Sequence, residues 1–162
     1  MNRAWNVSDL KHQFDHVKEN GWLPYFEEAA KKYVFTTALL LAIGSRETNL
    51  KNIVGDGGHG HGIMQIDNRS FPAWCRSKKW LDVQEGVRMG AWVLLTKLND
   101  ARSLNVPEKD LSRVAIASYN AGRPAIKAYL DHGNPDMPTT GHNYSADVLK
   151  RAEVFATLLQ QT

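Results

Sequence analysis

Glu47 is the residue whose position first suggests chemistry. It follows Ile43 by four positions and Leu40 by seven, so on a helix it shares their apolar face. Burial raises a carboxyl pKa and keeps the group protonated near neutrality, which is what a general acid needs. The plainer alternative is a solvated helix end where Glu47 pairs with Arg46. Nine residues further on lies Asp56, inside Gly55-Asp56-Gly57-Gly58-His59-Gly60-His61-Gly62, and Asp67 closes the run Gly62-Ile63-Met64-Gln65-Ile66-Asp67. A helix-end glutamate, a glycine-rich turn and two further acids form the inventory of glycosidic bond cleavage: an acid to protonate the leaving oxygen and a base to activate water. Asp56 also reads as an ordinary turn residue. Asp67 also reads as the N-cap of a helix beginning at Asn68.

The remaining polar candidates are less specific. His59 and His61 follow Asp56 closely, and two histidines at i, i+2 can share one face of a strand. No third-ligand pattern accompanies them, so loop histidines that contact substrate, or that have no role, are the expectation, with no metal. Tyr119-Asn120-Ala121-Gly122 reads as a helix end, with Tyr119 a candidate core residue and Asn120 and Gly122 a stop signal. Tyr144 precedes the last helical segment, where a staple residue would sit. The single cysteine, Cys75, has no catalytic signature around it and cannot form a disulfide within the chain.

The elements that must position these residues are mostly helical. Val7, Leu10, Phe14 and Val17 recur at helical spacing over Val7–Asn20. Pro24 opens a second helix, and Val34–Arg46 reads as a strongly apolar core helix. Five glycines among the eight residues 55–62 exclude a helix interior and predict turns between short strands, with Ile63–Ile66 extended. Asp82-Val83-Gln84-Glu85 resembles a capping box and starts a helix through Leu98. Pro107 opens another that ends near Gly122, Pro124 a short one through Tyr129, and Ser145–Leu159 a final amphipathic one. Helices with one small β element make an α+β class.

Length and charge bound the rest. A chain of 162 residues is expected to form one domain, 1–162, with a core that needs no staples. The longest apolar run, Ala38–Ile43, is far short of the ~20 residues that span a bilayer, so no membrane insertion is expected. A net charge of +3 suits an anionic wall and is too weak to argue for nucleic acid. Met1–Asn6 carries no apolar stretch that could serve as a signal peptide.

Four motifs stand in an order that resembles the goose-type lysozymes and lytic transglycosylases, glycoside hydrolase family 23. They are Ile43-Gly44-Ser45-Arg46-Glu47, the run Gly55 to Asp67, Ala117-Ser118-Tyr119-Asn120-Ala121-Gly122, and Asn143-Tyr144-Ser145-Ala146-Asp147-Val148-Leu149-Lys150-Arg151-Ala152. The resemblance runs from about residue 34 to 156, with residues 1–33 as added N-terminal helices. It implies a lysozyme-like α+β fold, predominantly helical, with a groove between a helical lobe and a small β lobe. It implies Glu47 as general acid, Asp56 and Asp67 where water is positioned or activated, and Gln65, Tyr119, Asn120 and Tyr144 along the sugar groove, with His61 a further substrate contact. The Glu47–Asp56 loop is shorter than in the avian members, and their disulfide cysteines are missing.

The activity implied is that of a muramidase, hydrolysing the β-1,4 bond between N-acetylmuramic acid and N-acetylglucosamine with inversion. Inversion needs carboxyl groups about 6.5–9.5 Å apart, against about 5–5.5 Å for retention. The alternatives are a lytic transglycosylase, in which the 6-hydroxyl of muramic acid replaces water and leaves a 1,6-anhydro product, a chitinase, or a glycan-binding module without turnover. Peptidoglycan strands or chitin oligomers are the expected partners, with a monomeric chain and no cofactor. A basic lytic domain without a leader fits a phage endolysin, an injected effector or a processed secreted enzyme that reaches the wall in the periplasm or outside the cell.

Overall fold

A computed structural model describes residues 4–162. Met1, Asn2 and Arg3, half of the stretch read above for a leader, lie outside the described residues. The elements are α1 (Val7–Glu19), α2 (Leu23–Tyr33), α3 (Thr37–Thr48), β1 (Val54–Gly55), β2 (Gly60–His61), β3 (Ile66–Asp67), α4 (Pro72–Arg76), α5 (Val83–Ser103), α6 (Glu108–Ala121), α7 (Arg123–His132) and α8 (Tyr144–Gln160). The class is α+β and mostly helical, with one three-stranded antiparallel sheet ordered β1-β2-β3. Among the described residues no helix is long and apolar enough to cross a membrane. The described chain divides into two compact units, the larger holding Ala4–Ala91 and Arg151–Thr162, the smaller Trp92–Lys150.

In the larger unit, α1 starts on a reciprocal cap. Asn6 Oδ1 accepts the Asp9 amide at 2.9 Å, and Asp9 Oδ2 accepts the Asn6 amide at 2.9 Å. The helix buries Leu10, Phe14 and Val17, and α2 buries Phe26, Ala29 and Ala30. The third helix begins at Thr37 and not at the expected Val34, because Val34 takes a left-handed conformation (φ +61°) that ends α2. Thr36 then caps α3, its hydroxyl accepting the Leu39 amide at 3.1 Å. Ala38 and Leu40–Ser45 are all buried, so α3 is apolar nearly all round and forms the unit's core helix.

The end of α3 is where the β element docks. Asn49 and Leu50 both have positive φ, and the Leu50 amide returns to the Gly44 carbonyl at 3.2 Å. This folds Leu50 back over Gly44, where a Cβ would meet Leu50 Cδ2 at 2.8 Å. The expected extended segment Ile63–Ile66 is corrected: only Ile66 and Asp67 are strand, and residues 62–65 form a turn with Gly62 at φ +83° and Gln65 at φ +51°. Side chains that seek different partners drive this turn. Ile63 and Met64 are fully buried, while Gln65 points back over the sheet. Thr48 Oγ1 lies 3.0 Å from the Gly44 carbonyl and 2.9 Å from the Ile63 carbonyl. Asn52 Oδ1 accepts the Ile63 amide at 2.9 Å, and its Nδ2 donates to the carbonyls of Trp80 at 3.1 Å and Leu81 at 3.3 Å. Met64 lies against Gly44 of α3 and Gly90 of α5.

Residues 68–70 form a turn, so the alternative helix beginning at Asn68 is absent. The short α4 that follows at Pro72 carries no periodic signal in five residues. In the smaller unit, Ala101, Val106, Leu111, Val114 and Ile126 make one buried cluster, closed by Leu98 and Tyr129. Gly122 joins α6 to α7 at φ +69°, ψ −153°, a conformation that only glycine adopts without strain. The α7 helix runs past the expected Tyr129 to His132 and stops at Gly133, which is left-handed.

The contact of Met64 with α5 makes Gly90 a test of docking. A Cβ at Gly90 would lie 2.7 Å from Met64 Cβ and Cγ, atoms too near the backbone to swing away. Gly90→Ala should therefore destabilise the chain by about 1–3 kcal/mol, even though alanine favours a helix interior. Urea denaturation followed by tryptophan fluorescence reads this directly, and an unchanged or raised midpoint would contradict the packing.

Candidate active site

Glu47 sits in the last turn of α3 and is half-buried, between buried Ser45 and Thr48. Its turn is braced from behind by a polar network. Ser45 Oγ donates to Gln13 Oε1 of α1 at 2.5 Å and accepts from Arg151 Nη1 of α8 at 2.8 Å. Arg151 is itself only 7% exposed, and its guanidinium lies 5.3 Å from the centre of the Trp5 ring. A buried cation held this way fixes α3 against α1 and the end of α8 in the larger unit. None of these bracing residues stands out in the sequence, because Gln13, Ser45 and Arg151 are joined only by the fold.

The sheet register decides which ribbon residues share a face. Val54, His61 and Ile66 are directly opposite one another, and so are Gly55, Gly60 and Asp67. Asp67 therefore belongs to the face that carries two glycines. Gln65 occupies the room they leave, since a Cβ on either Gly55 or Gly60 would collide with its side-chain amide. Its Nε2 donates to the carbonyls of Ile53 at 3.0 Å and Gly62 at 2.9 Å. Gln65 thus ties the turn to Ile53, the residue before β1, with its amide nitrogen.

Asp56 and Asp67 are brought together by a residue the sequence reading passed over, Arg69. Its backbone amide donates to Asp67 Oδ1 at 2.8 Å, and its Nε to the same oxygen at 2.9 Å. The guanidinium Nη2 reaches Asp56 Oδ2 at 3.1 Å. Burial pushes the Asp67 carboxyl up, but the hydrogen bonds and charge of Arg69, with a smaller contribution from His59, outweigh it and hold the group below its ordinary range. The stabilisation this brings is present above the ordinary carboxylate range and is lost as pH falls through the lowered value. Asp67 is thus an ionised acceptor at neutral pH. It suits a group that orients water better than one that gives up a proton.

His59 and His61 are engaged locally. His59 Nδ1 lies 3.0 Å from Asn68 Oδ1, and His61 Nδ1 lies 3.1 Å from the His59 carbonyl. The His61 ring meets Trp80 edge-on, with centroids 5.5 Å apart. Among the described residues, no group of three or more His, Cys, Asp or Glu side chains converges as metal ligands would. Cys75 is buried under the ribbon, with Sγ 3.6 Å from the Ile66 carbonyl, and burial pushes its thiol up.

The smaller unit holds Tyr119, Asn120 and Tyr144. Tyr119 is half-buried on α6. Asn120 is exposed and staples the loop after α7, its Oδ1 accepting the Thr140 amide at 3.0 Å. Tyr144 is the first residue of α8 and is buried. Its position depends on Asp136, another residue the sequence did not flag. The Asp136 carboxylate accepts the Ser145 amide at 2.8 Å, the Ser145 hydroxyl at 2.7 Å and the Ala146 amide at 3.2 Å. Arg113 Nη2 lies 3.8 Å away. Asp136 therefore satisfies the orphan amides at the start of α8 and sits at the positive end of its dipole. The Thr139 hydroxyl accepts the Tyr144 amide at 3.2 Å and closes the loop.

With this geometry in view, comparison with known proteins gives a family. The family Lysozyme g matches residues 9–158, and the chain belongs to the goose-type lysozymes. It is 32% identical over 128 residues to the lysozyme g of Cyprinus carpio, covering 73% of this chain and 63% of that protein. It is 27% identical over 135 residues to the lysozyme G of Dromaius novaehollandiae, covering 80% of this chain and 63% of that protein. With the lysozyme g of Epinephelus coioides it shares 30% identity over 140 residues, 78% of this chain and 70% of that one. The chain thus spans somewhat under two thirds of the length of the first two relatives.

Removing the carboxylate that caps α8 leaves several buried donors unpaired. Asp136→Ala should lower stability by about 1–3 kcal/mol, and Asp136→Asn, which keeps one acceptor, by less. Chemical denaturation of both variants checks the order, and two variants as stable as the parent would contradict the role given to Asp136.

Proposed function

We propose that the chain is a peptidoglycan-cleaving muramidase, hydrolysing the β-1,4 bond between N-acetylmuramic acid and N-acetylglucosamine. The observation that carries this reading is the placement of Glu47: a half-buried carboxyl on the last turn of the apolar core helix, braced by Ser45, Gln13 and Arg151. Membership of the goose-type lysozymes supports the substrate class. In this reading Glu47 protonates the glycosidic oxygen as the C1–O4 bond breaks. Water then adds to C1 from the opposite face, oriented by Asp67 with Asp56, and the anomeric configuration inverts. Gln65, His61, Tyr119, Asn120 and Tyr144 are proposed to shape or hold the sugar sites. The net charge of +3 supports action on an anionic wall, in the periplasm or outside the cell.

One observation favours a second reading. Asp67 is held below its ordinary range, and a carboxylate so placed can orient water but is a weak base toward its proton. A lytic transglycosylase needs no such base: the 6-hydroxyl of muramic acid attacks C1, and its proton returns to Glu47. Mass spectrometry of fragments from purified peptidoglycan separates the two. Reducing-end muramic acid supports hydrolysis, and products lighter by one water support the transglycosylase. Under either reading Glu47→Gln should lose about 10²–10⁴-fold in turnover with its fold intact by circular dichroism. Undiminished lysis by the folded variant would overturn both.

A further inference from the structure

We propose that Arg69 is a positioning residue that holds Asp56 and Asp67 as a single water-orienting pair, and so sets how much of the reaction ends in water. This rests on the hydrolytic reading above. The two acids come from the first and last strands of the ribbon, Asp56 in the 3-10 turn Asp56–Gly58 after β1 and Asp67 at the end of β3, level with Gly55 in the register. Only Arg69 joins them among the described contacts. Nε lies 2.9 Å from Asp67 Oδ1 and 3.2 Å from Oδ2, while Nη2 lies 3.1 Å from Asp56 Oδ2. Two carboxylates gathered on one side chain repel each other, and without an intervening cation one of them turns away or takes up a proton. The planar guanidinium removes that repulsion and fixes both groups at once, which the point charge of lysine cannot do.

The arrangement leaves acceptors free for water. Among the described residues no hydrogen bond reaches Asp56 Oδ1, and Asp67 Oδ2 has only the longer contact with Arg69. The side chains of Asp56, Asp67 and Arg69 are 68%, 38% and 59% exposed, so solvent reaches the pair. As a surface ion pair such a trio would add little to stability. Its value lies in orientation. Charged groups that face Asp67 are Arg69 and, through it, Asp56, with His59 from the segment before β2 and the Cys75 thiol from α4. In the hydrolytic step the attacking water forms the C1–O bond and passes its proton to this carboxylate pair, while Glu47 delivers its own to the leaving O4. When the pair is disordered, Glu47 still protonates O4, and the muramic acid 6-hydroxyl can close on C1 instead.

The test compares the wild type, Arg69→Met and Arg69→Lys on purified peptidoglycan, with kcat, KM and the ratio of reducing-end to 1,6-anhydro products. Arg69→Met should lower kcat for the water-terminated product about 10–100-fold, with KM little changed and the anhydro share raised. Arg69→Lys should recover part of the loss. An Arg69→Met protein with wild-type kcat and product ratio would overturn the proposal while leaving the muramidase reading intact. A wild type that makes no reducing-end product overturns the muramidase reading and the water-orienting role with it. Carbon-13 NMR titration gives a readout independent of turnover. One of the two aspartate carboxyls should titrate at higher pH in Arg69→Met than in the wild type, and unchanged titrations of both would overturn the coupling itself.

Discussion

The larger unit depends on one contact, the seating of the 62–65 turn on the end of α3. Thr48 and Asn52 supply its polar half, through the Ile63 carbonyl and the Ile63 amide. Met64 supplies the apolar half, against two helices that carry glycine where it presses. A ribbon with only two residues in each strand has too few ladder hydrogen bonds to stand alone. Anchoring it to the core helix makes it part of a rigid body. Glu47, one residue before Thr48, lies on the element to which Asp56 and Asp67 are tied.

The acids of the ribbon obey a second constraint. Charge cannot be gathered there without a counter-charge, and Arg69 provides it two residues after Asp67. Glu47 is treated differently. It lies on a helix packed in apolar surroundings, with its support coming from Ser45 and the buried Arg151 behind it. The acids thus stand in two settings, Glu47 half-buried on the last turn of the core helix and Asp56 and Asp67 exposed to solvent on a shared guanidinium. Under the proposed function, that difference suits a general acid on α3 and a water-orienting pair on the ribbon.

Much of this was legible in the sequence. Periodicity located the helices, and the apolar run that holds Leu40 and Ile43 singled out α3 as the core helix. Glycine density placed the ribbon. The errors fell where backbone conformation is set by tertiary contacts. Val34 reads as helix by its apolar neighbours, yet it adopts a left-handed cap. Ile63–Gln65 reads as strand, yet it turns because Ile63 and Met64 are drawn under the ribbon and Gln65 is drawn over it. Arg69, Asn52, Gln13 and Asp136 were missed for a related reason. Asn52 acts on residues eleven and more positions away, and Asp136 acts on the start of α8, so no local pattern marks either one. The Asp67-x-Arg69 spacing was the one available signal for a carboxylate–guanidinium pair, and only the fold brings Asp56 to its other side.

Amide hydrogen exchange in an Asn52→Ala variant tests the central contact most directly. If the ribbon is held through Asn52 and Thr48 on the end of α3, the amides of Gly62, Ile63 and Asn68 should lose protection while those of Leu41–Ser45 in α3 keep theirs. Equal protection in the variant and the parent at Ile63, whose amide loses its acceptor, would contradict the account.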